Sequence, residues 1–157
     1  MREYATQMEA ARKGIITPEM KIVAKKEYRT EEEIREWVAK GQVAICANRL
    51  HTCIDPNGVG SMLRTKINVN LGVSRDCKDY DVEMKKVQAA VDMGAEAIMD
   101  LSSHGNTQPF RRKLTSECTA MIGTVPVYDS VIHYQRDLAT LTAVSYTHLR
   151  AHETRHD

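Results

Sequence analysis

Four short stretches place amide, carboxylate, hydroxyl or imidazole groups directly after apolar runs. They are Asn48-Arg49-Leu50-His51, Asn68-Val69-Asn70, Asp100-Leu101-Ser102-Ser103-His104 and Thr124-Val125-Pro126-Val127-Tyr128. These are hydrogen-bonding groups of the kind that hold a small ligand. One such stretch means little, because helix N-caps favour Asn, Asp, Ser and Thr in any case. Asp100 and Ser102, taken singly, suit a structural role as well as a binding one. Four stretches in succession point to a shared pocket, with Asn48, His51, Asn68, Asp100 and Ser102 as lining candidates. Gly72, Gly105 and Gly123 would let backbone approach a phosphate, although no glycine fingerprint for a dinucleotide or nucleoside triphosphate is present. Arg64 and Lys66 are placed to meet a phosphate or a carboxylate. Met99 reads as a core residue, His133 as a surface histidine, and Lys85-Lys86 and Arg111-Arg112-Lys113 as solvated helix faces.

The elements that position these groups are legible from periodicity and caps. Gly14 suits a helix C-cap, and Thr17-Pro18 opens a further helix with proline at its first position. Thr30 and Glu33 have the spacing of a capping box, ahead of an apolar face made by Ile34, Trp37 and Val38, and Gly41 ends that helix. The period then changes. Strands are expected at 43–47, 66–71, 95–101 and 120–127, and Asp55-Pro56-Asn57-Gly58 reads as a turn. Helices are expected at 80–93, at 109–118 opened by Thr107, and from 129 onward. Asn70, Met99 and Tyr128 follow one another in equal steps of 29 residues. A strand–helix unit repeating at that length implies parallel strands joined by helical crossovers. An open doubly wound sheet and a (β/α)8 barrel both satisfy this, and both bind ligands at the C-terminal strand ends. A barrel needs about 250 residues. With 157 residues, the chain has the length of part of such a domain.

Composition narrows the function. Hydrophobic residues make up 42% and charged residues 27%, as in an ordinary globular protein. The net charge of +1 gives no electrostatic case for nucleic acid or an anionic membrane. No apolar run approaches membrane-spanning length, and the first residues lack the apolar core of a signal peptide, so a cytoplasmic protein is expected. Cys46, Cys53, Cys77 and Cys118 are irregularly spaced with no C-x-x-C pair. Reduced thiols are expected, rather than a zinc or iron–sulfur site built within this chain.

The blocks TQMEAARKGIITPEM, LRTKINVNLG, GAEAIMDLSSHG and MIGTVPVYDS, in this order and spacing, resemble the phosphomethylpyrimidine synthase (ThiC) family of thiamin biosynthesis. The resemblance covers about residues 4–143. It implies the N-terminal part of a (β/α)8 TIM barrel preceded by a short helical segment, with helices over 1–42 and the first strand–helix units over 43–143. It further implies an atypical radical S-adenosylmethionine lyase. Such an enzyme rearranges 5-aminoimidazole ribotide to 4-amino-5-hydroxymethyl-2-methylpyrimidine phosphate. The family uses a 4Fe–4S cluster on a CxxCxxxxC motif, S-adenosylmethionine and a zinc site with histidine ligands. None of the four cysteines here matches that motif, and the metal ligands of the family lie further downstream. No catalytic or metal-binding residue therefore carries over. The family is dimeric, so a homodimer is expected of the complete protein.

Three ribotide-contacting positions carry over by resemblance: Asn70 from the NxN strand end, Met99 from the MDLS block and Tyr128 from the GTVPxY block. The sequence departs from the family at Leu50, where the ANxNH pattern has its second asparagine. That change leaves a 5-hydroxybenzimidazole synthase of anaerobic cobalamin biosynthesis, acting on the same ribotide, as an alternative. A non-catalytic ribotide-binding module is a second alternative. A fragment with open strand edges is expected to be inactive and aggregation-prone by itself. Residues 144–157, VSYTHLRAHETRHD, do not resemble the family. They resemble translated adapter sequence, so a non-native tail is expected there, and its three histidines carry no functional assignment.

Overall fold

A computed structural model describes residues 3–48 and 50–144. The first three helices are set by their caps. α1 spans Gln7–Arg12, α2 Pro18–Glu27 and α3 Glu31–Ala39. Thr6, Thr17 and Thr30 each accept, on the side-chain oxygen, the backbone N–H three residues on, at 3.1, 3.2 and 3.2 Å. Pro18 occupies the first turn of α2, where its missing N–H costs nothing. The Glu33 carboxylate returns to the Thr30 N–H at 2.9 Å and completes the capping box expected from the sequence. The inner faces of the three helices bury Ala11, Met20, Val23, Ala24, Ile34 and Val38 in one cluster. Each large aliphatic side chain sealed there contributes about 1.5–3 kcal/mol.

The 43–47 segment departs from expectation. β1 is Val43–Ile45, and it pairs antiparallel with β2, Gly58–Gly60, rather than joining the parallel sheet. The cause is local. Val43 and Ile45 turn inward onto the helical cluster. The turn at Asp55–Asn57, held by the Lys26 ammonium on the Pro56 carbonyl at 2.9 Å, brings the chain back alongside. The returning strand needs glycine. A Cβ at Gly58 would stand 2.6 Å from Leu63 Cδ1, and one at Gly60 would stand 2.3 Å from the Gln42 carbonyl oxygen. A Gly-Val-Gly strand carries no apolar alternation, so periodicity does not reveal it.

The remaining units follow the expected strand–helix order. They are β3 Asn68–Leu71, α4 Tyr80–Asp92, β4 Ala97–Asp100, α5 Gln108–Glu117, β5 Met121–Thr124 and α6 Pro126–Tyr134, followed by a 3-10 turn at Leu138–Thr140. β3, β4 and β5 form a parallel sheet in that order, so the class is α/β. α6 begins at Pro126, inside the expected 120–127 strand, because proline pre-sets the first turn and cannot extend the ladder. Alternation gives the sheet two unlike faces. Leu71 and Ile98 pack against Val87, Ala90, Phe110 and Leu114 of α4 and α5. Asn68, Asn70 and Met99 point the other way.

Glu27, at the end of α2, joins the helical segment to the foot of the sheet. It pairs with both Lys66 and Arg64, and Arg64 pairs with Glu96 at the start of β4. The two cations that precede β3 thus meet carboxylates of this chain. Among the described residues no helix is long and apolar enough to cross a membrane. The tail from residue 145 lies outside the described residues.

Candidate functional site

The polar strand ends do not converge as one group. Asn68, Asn70 and Met99 share the sheet face that α4 and α5 leave uncovered. Parallel pairing sets Asn70 level with Met99, and Met99 level with Gly123. The Asn68 amide donates to Asn70 Oδ1 at 2.9 Å, which fixes the orientation of the Asn70 side chain. The Met99 side chain crosses the space that a Cβ at Gly123 would fill. Tyr128 lies beyond the strand, in the first turn of α6, where its N–H donates to the Val125 carbonyl at 3.0 Å.

Asp100 and Ser102 belong to the other face, and both are fully buried. Asp100 Oδ1 accepts the Ser102 N–H at 2.9 Å, and its Oδ2 accepts Arg111 Nε at 2.7 Å. The Ser102 hydroxyl accepts the Val73 N–H at 3.1 Å and so links the ends of β3 and β4. Arg111 also donates to Asp129 of α6 at 2.7 Å. Burial works against the Arg111 charge, but its hydrogen bonds to Asp129 and Asp100 outweigh burial and raise its pKa. The Tyr80 hydroxyl is raised first by burial and then by the Asp100 carboxylate. Asp100 and Ser102 therefore brace the loop under the open face and are turned away from that face.

Asn48 and His51 form a third group, at the start of β5. With Cys46, Ile54, Met121 and Ile122 they line a cavity of about 380 Å³. Buried His51 places Nε2 2.5 Å from the Cys118 carbonyl, and since a carbonyl only accepts, Nε2 carries the proton. Asn48 Oδ1 accepts the Leu50 N–H at 2.9 Å. The larger cavity, about 1240 Å³, opens between the β4–α5 loop and α6, with Arg111 and Asp129 on its wall. It lies off the Asn70–Met99 face.

Two of the three candidate glycines are consumed by internal packing. Gly72, at φ +136°, would put a Cβ 2.5 Å from the Ser102 nitrogen, and the space over Gly123 holds Met99. Arg111 and Asp129 are the contributors that the sequence hides. Arg111 sits in a basic run, but it directly follows buried Phe110 and precedes buried Leu114 by three positions. That spacing places it at the border of the buried stripe, whereas Arg112 and Lys113 are exposed.

A parallel α/β sheet that offers amide and thioether side chains on one face near its C-terminal strand ends is laid out to hold a small molecule there. Comparison with known proteins gives the family. The chain belongs to the radical SAM ThiC family, whose model matches residues 6–156. That match runs into the segment from 144 onward that the sequence alone sets apart. The chain is 60% identical over 140 residues to a phosphomethylpyrimidine synthase of Alkaliphilus oremlandii, covering 89% of this chain and 32% of that protein. It is 54% identical over 143 residues to a phosphomethylpyrimidine synthase of Clostridium botulinum strain Hall, covering 91% of this chain and 33% of that protein. The chain thus spans about a third of the length of the curated relatives it matches.

A radical SAM family implies a 4Fe–4S cluster and S-adenosylmethionine. The residues described here do not fit the cluster. Among them no three His, Cys, Asp or Glu side chains stand close enough to hold a metal ion. Cys46, Cys53, Cys77 and Cys118 are free thiols, and burial raises the pKa of Cys118, which disfavours the thiolate a metal requires.

Proposed function

We propose that this chain supplies the substrate-facing part of a phosphomethylpyrimidine synthase. The complete enzyme would be a lyase that rearranges 5-aminoimidazole ribotide to the hydroxymethylpyrimidine phosphate of thiamin biosynthesis. The observation that carries the proposal is the strip on the open sheet face, where Asn70, Met99 and Gly123 stand level on adjacent parallel strands. In this proposal the Asn70 amide hydrogen-bonds the imidazole or ribose, Met99 packs on the ring, and Tyr128 donates to the phosphate or ribose. The parallel units would be the first of a (β/α)8 barrel, whose interior is this open face. S-adenosylmethionine cleaved at a 4Fe–4S cluster would supply the radical. The ligands of that cluster, and of any zinc, lie outside the described residues, so the part of this chain is to bind and orient.

The test is Asn70→Ala in the complete protein. Ribotide affinity should fall about tenfold, the loss of roughly one hydrogen bond to a polar ligand. Unchanged affinity would sink the proposal. Product analysis of the same protein then separates pyrimidine phosphate from hydroxybenzimidazole.

A further inference from the structure

Asp100 directly follows Met99, and Asp129 directly follows Tyr128. One side chain, Arg111 of α5, holds both carboxylates, with Nε on Asp100 Oδ2 and Nη1 on Asp129 Oδ2, each at 2.7 Å. We infer that Arg111 is a positioning residue: it ties the strand end that carries Met99 to the helical turn that carries Tyr128, and so sets the distance between two of the side chains proposed to hold the ribotide.

The chain of contacts is continuous. Asp100 is fully buried and uses both oxygens, one for Arg111 and one for the Ser102 N–H. Ser102 in turn holds Val73, and the Leu101 N–H donates to the Leu71 carbonyl at 2.7 Å. Leu71 follows Asn70. Each proposed ribotide residue is therefore one position away from a residue in this network. A guanidinium suits the task because its planar fork reaches two carboxylates in fixed directions, which an ammonium does not do. No other described side chain bridges β4 to α6 in this way. α6 has no side-chain cap on its first turn, so the Arg111–Asp129 pair is its polar anchor. The third guanidinium nitrogen, Nη2, is buried without a partner among the described residues. Geometry at the two carboxylates is kept even though that donor goes unsatisfied.

The inference rests on the ribotide reading above, and the experiment separates the two. It uses the complete protein, with 5-aminoimidazole ribotide as the probe. Asp129→Asn keeps the shape of the side chain, which is partly exposed, and strips the charge from the α6 arm of the bridge, leaving only a neutral amide oxygen to accept from Arg111. KM for the ribotide should rise about tenfold with a far smaller change in kcat. Arg111→Lys keeps the charge, loses the fork and should give a similar rise. Arg112→Met, on the exposed side of α5, should match the parent. The decisive readout is a double-mutant cycle with Tyr128→Phe. If Arg111 acts through Tyr128, Asp129→Asn adds little in the Tyr128→Phe background. If the two losses multiply in full, or if Asp129→Asn and Arg111→Lys leave KM unchanged while Tyr128→Phe raises it, the positioning role is overturned. If Asn70→Ala and Tyr128→Phe both leave KM unchanged, the ribotide reading fails and takes this inference with it.

Discussion

Met99 lies across Gly123: a Cβ built at Gly123 would come within 2.8 Å of Met99 Cε and 2.9 Å of its Sδ. The two residues are level on adjacent parallel strands. The absence of a side chain on β5 is what allows the thioether to lie flat on the sheet. Gly123 has no positive φ, so its backbone does not require glycine. The requirement comes from Met99.

Gly123→Ala should therefore act on binding more than on folding. The clashing atoms are the far end of a flexible chain, which can swing to another rotamer at a cost of about 1 kcal/mol. Once displaced, Met99 stands up from the sheet into the space proposed for the ribotide. Ribotide affinity of the complete protein should drop about tenfold while the melting temperature falls by only a few degrees. A large loss of melting temperature with intact affinity would show that the pair is purely structural.

Gly72→Ala should behave in the opposite way. Here the intruding Cβ meets backbone, at 2.5 Å from the Ser102 nitrogen, and φ is +136°. Neither strand can move aside, because the Leu101 N–H is bonded to the Leu71 carbonyl and the Ser102 hydroxyl to the Val73 N–H. The expected cost is about 3 kcal/mol or more, from strain and the disrupted strand ends together. Urea unfolding checks this. A midpoint within error of the parent would mean that the two strand ends separate more easily than their hydrogen bonds imply.

These two glycines show what the sequence makes legible and what it does not. Their spacing after apolar runs marks them as close-approach positions, but nothing in one dimension says what approaches. In both cases it is this chain itself. The same limit applies to Asp100 and Met99. Alternation places neighbours on opposite faces, and the 29-residue step aligns the strands, yet neither says which face the helices take. That choice is made by Phe110 and Leu114 packing on Ile98. It puts Asp100 under the sheet with Arg111 and leaves Met99 open. Local signals fared better. The Thr30–Glu33 capping box and the proline at the start of α2 are set by a few adjacent residues and stand as read. The β1–β2 pairing was hidden because its second strand is made of glycines, whose fit depends on residues as distant as Val23.

The Lys66–Glu27 pair should be costly to break and cheap to replace. Both side chains are almost wholly enclosed, at 6% and 3% exposure. Lys66→Met leaves the Glu27 carboxylate with only the Arg64 backbone N–H at 2.9 Å and the Arg64 side chain at 3.6 Å. The expected loss is about 3 kcal/mol. The double variant Lys66→Met with Glu27→Leu should recover most of it, because no buried charge then remains. Urea midpoints of the three variants decide the matter. A double variant as unstable as Lys66→Met alone would mean that the pair holds α2 to β3 through geometry that an apolar contact cannot supply.

Glu96 should give the protein part of its acid sensitivity. Burial by itself would raise its pKa. The hydrogen bond from the Ile67 N–H, at 2.8 Å, and the Arg64 guanidinium outweigh burial and hold the carboxyl below its ordinary 4.5. A carboxylate whose pKa is lower folded than unfolded adds stability above the unfolded value, and that stability is lost as pH falls through the folded value. At neutral pH Glu96→Gln should be the less stable protein. The gap should close as pH falls below the ordinary carboxylate value of 4.5, because the parent gives up the Glu96 contribution while the variant has none to lose. Glu9 and Glu33 are also lowered, chiefly by the Lys13 side chain and the Thr30 backbone N–H respectively, so the variant should keep some slope of its own. Unfolding midpoints measured at three pH values test this. Parallel lines for parent and variant would show that Glu96 keeps its proton affinity on folding, and that the Arg64–Glu96 contact is too well hydrated to matter.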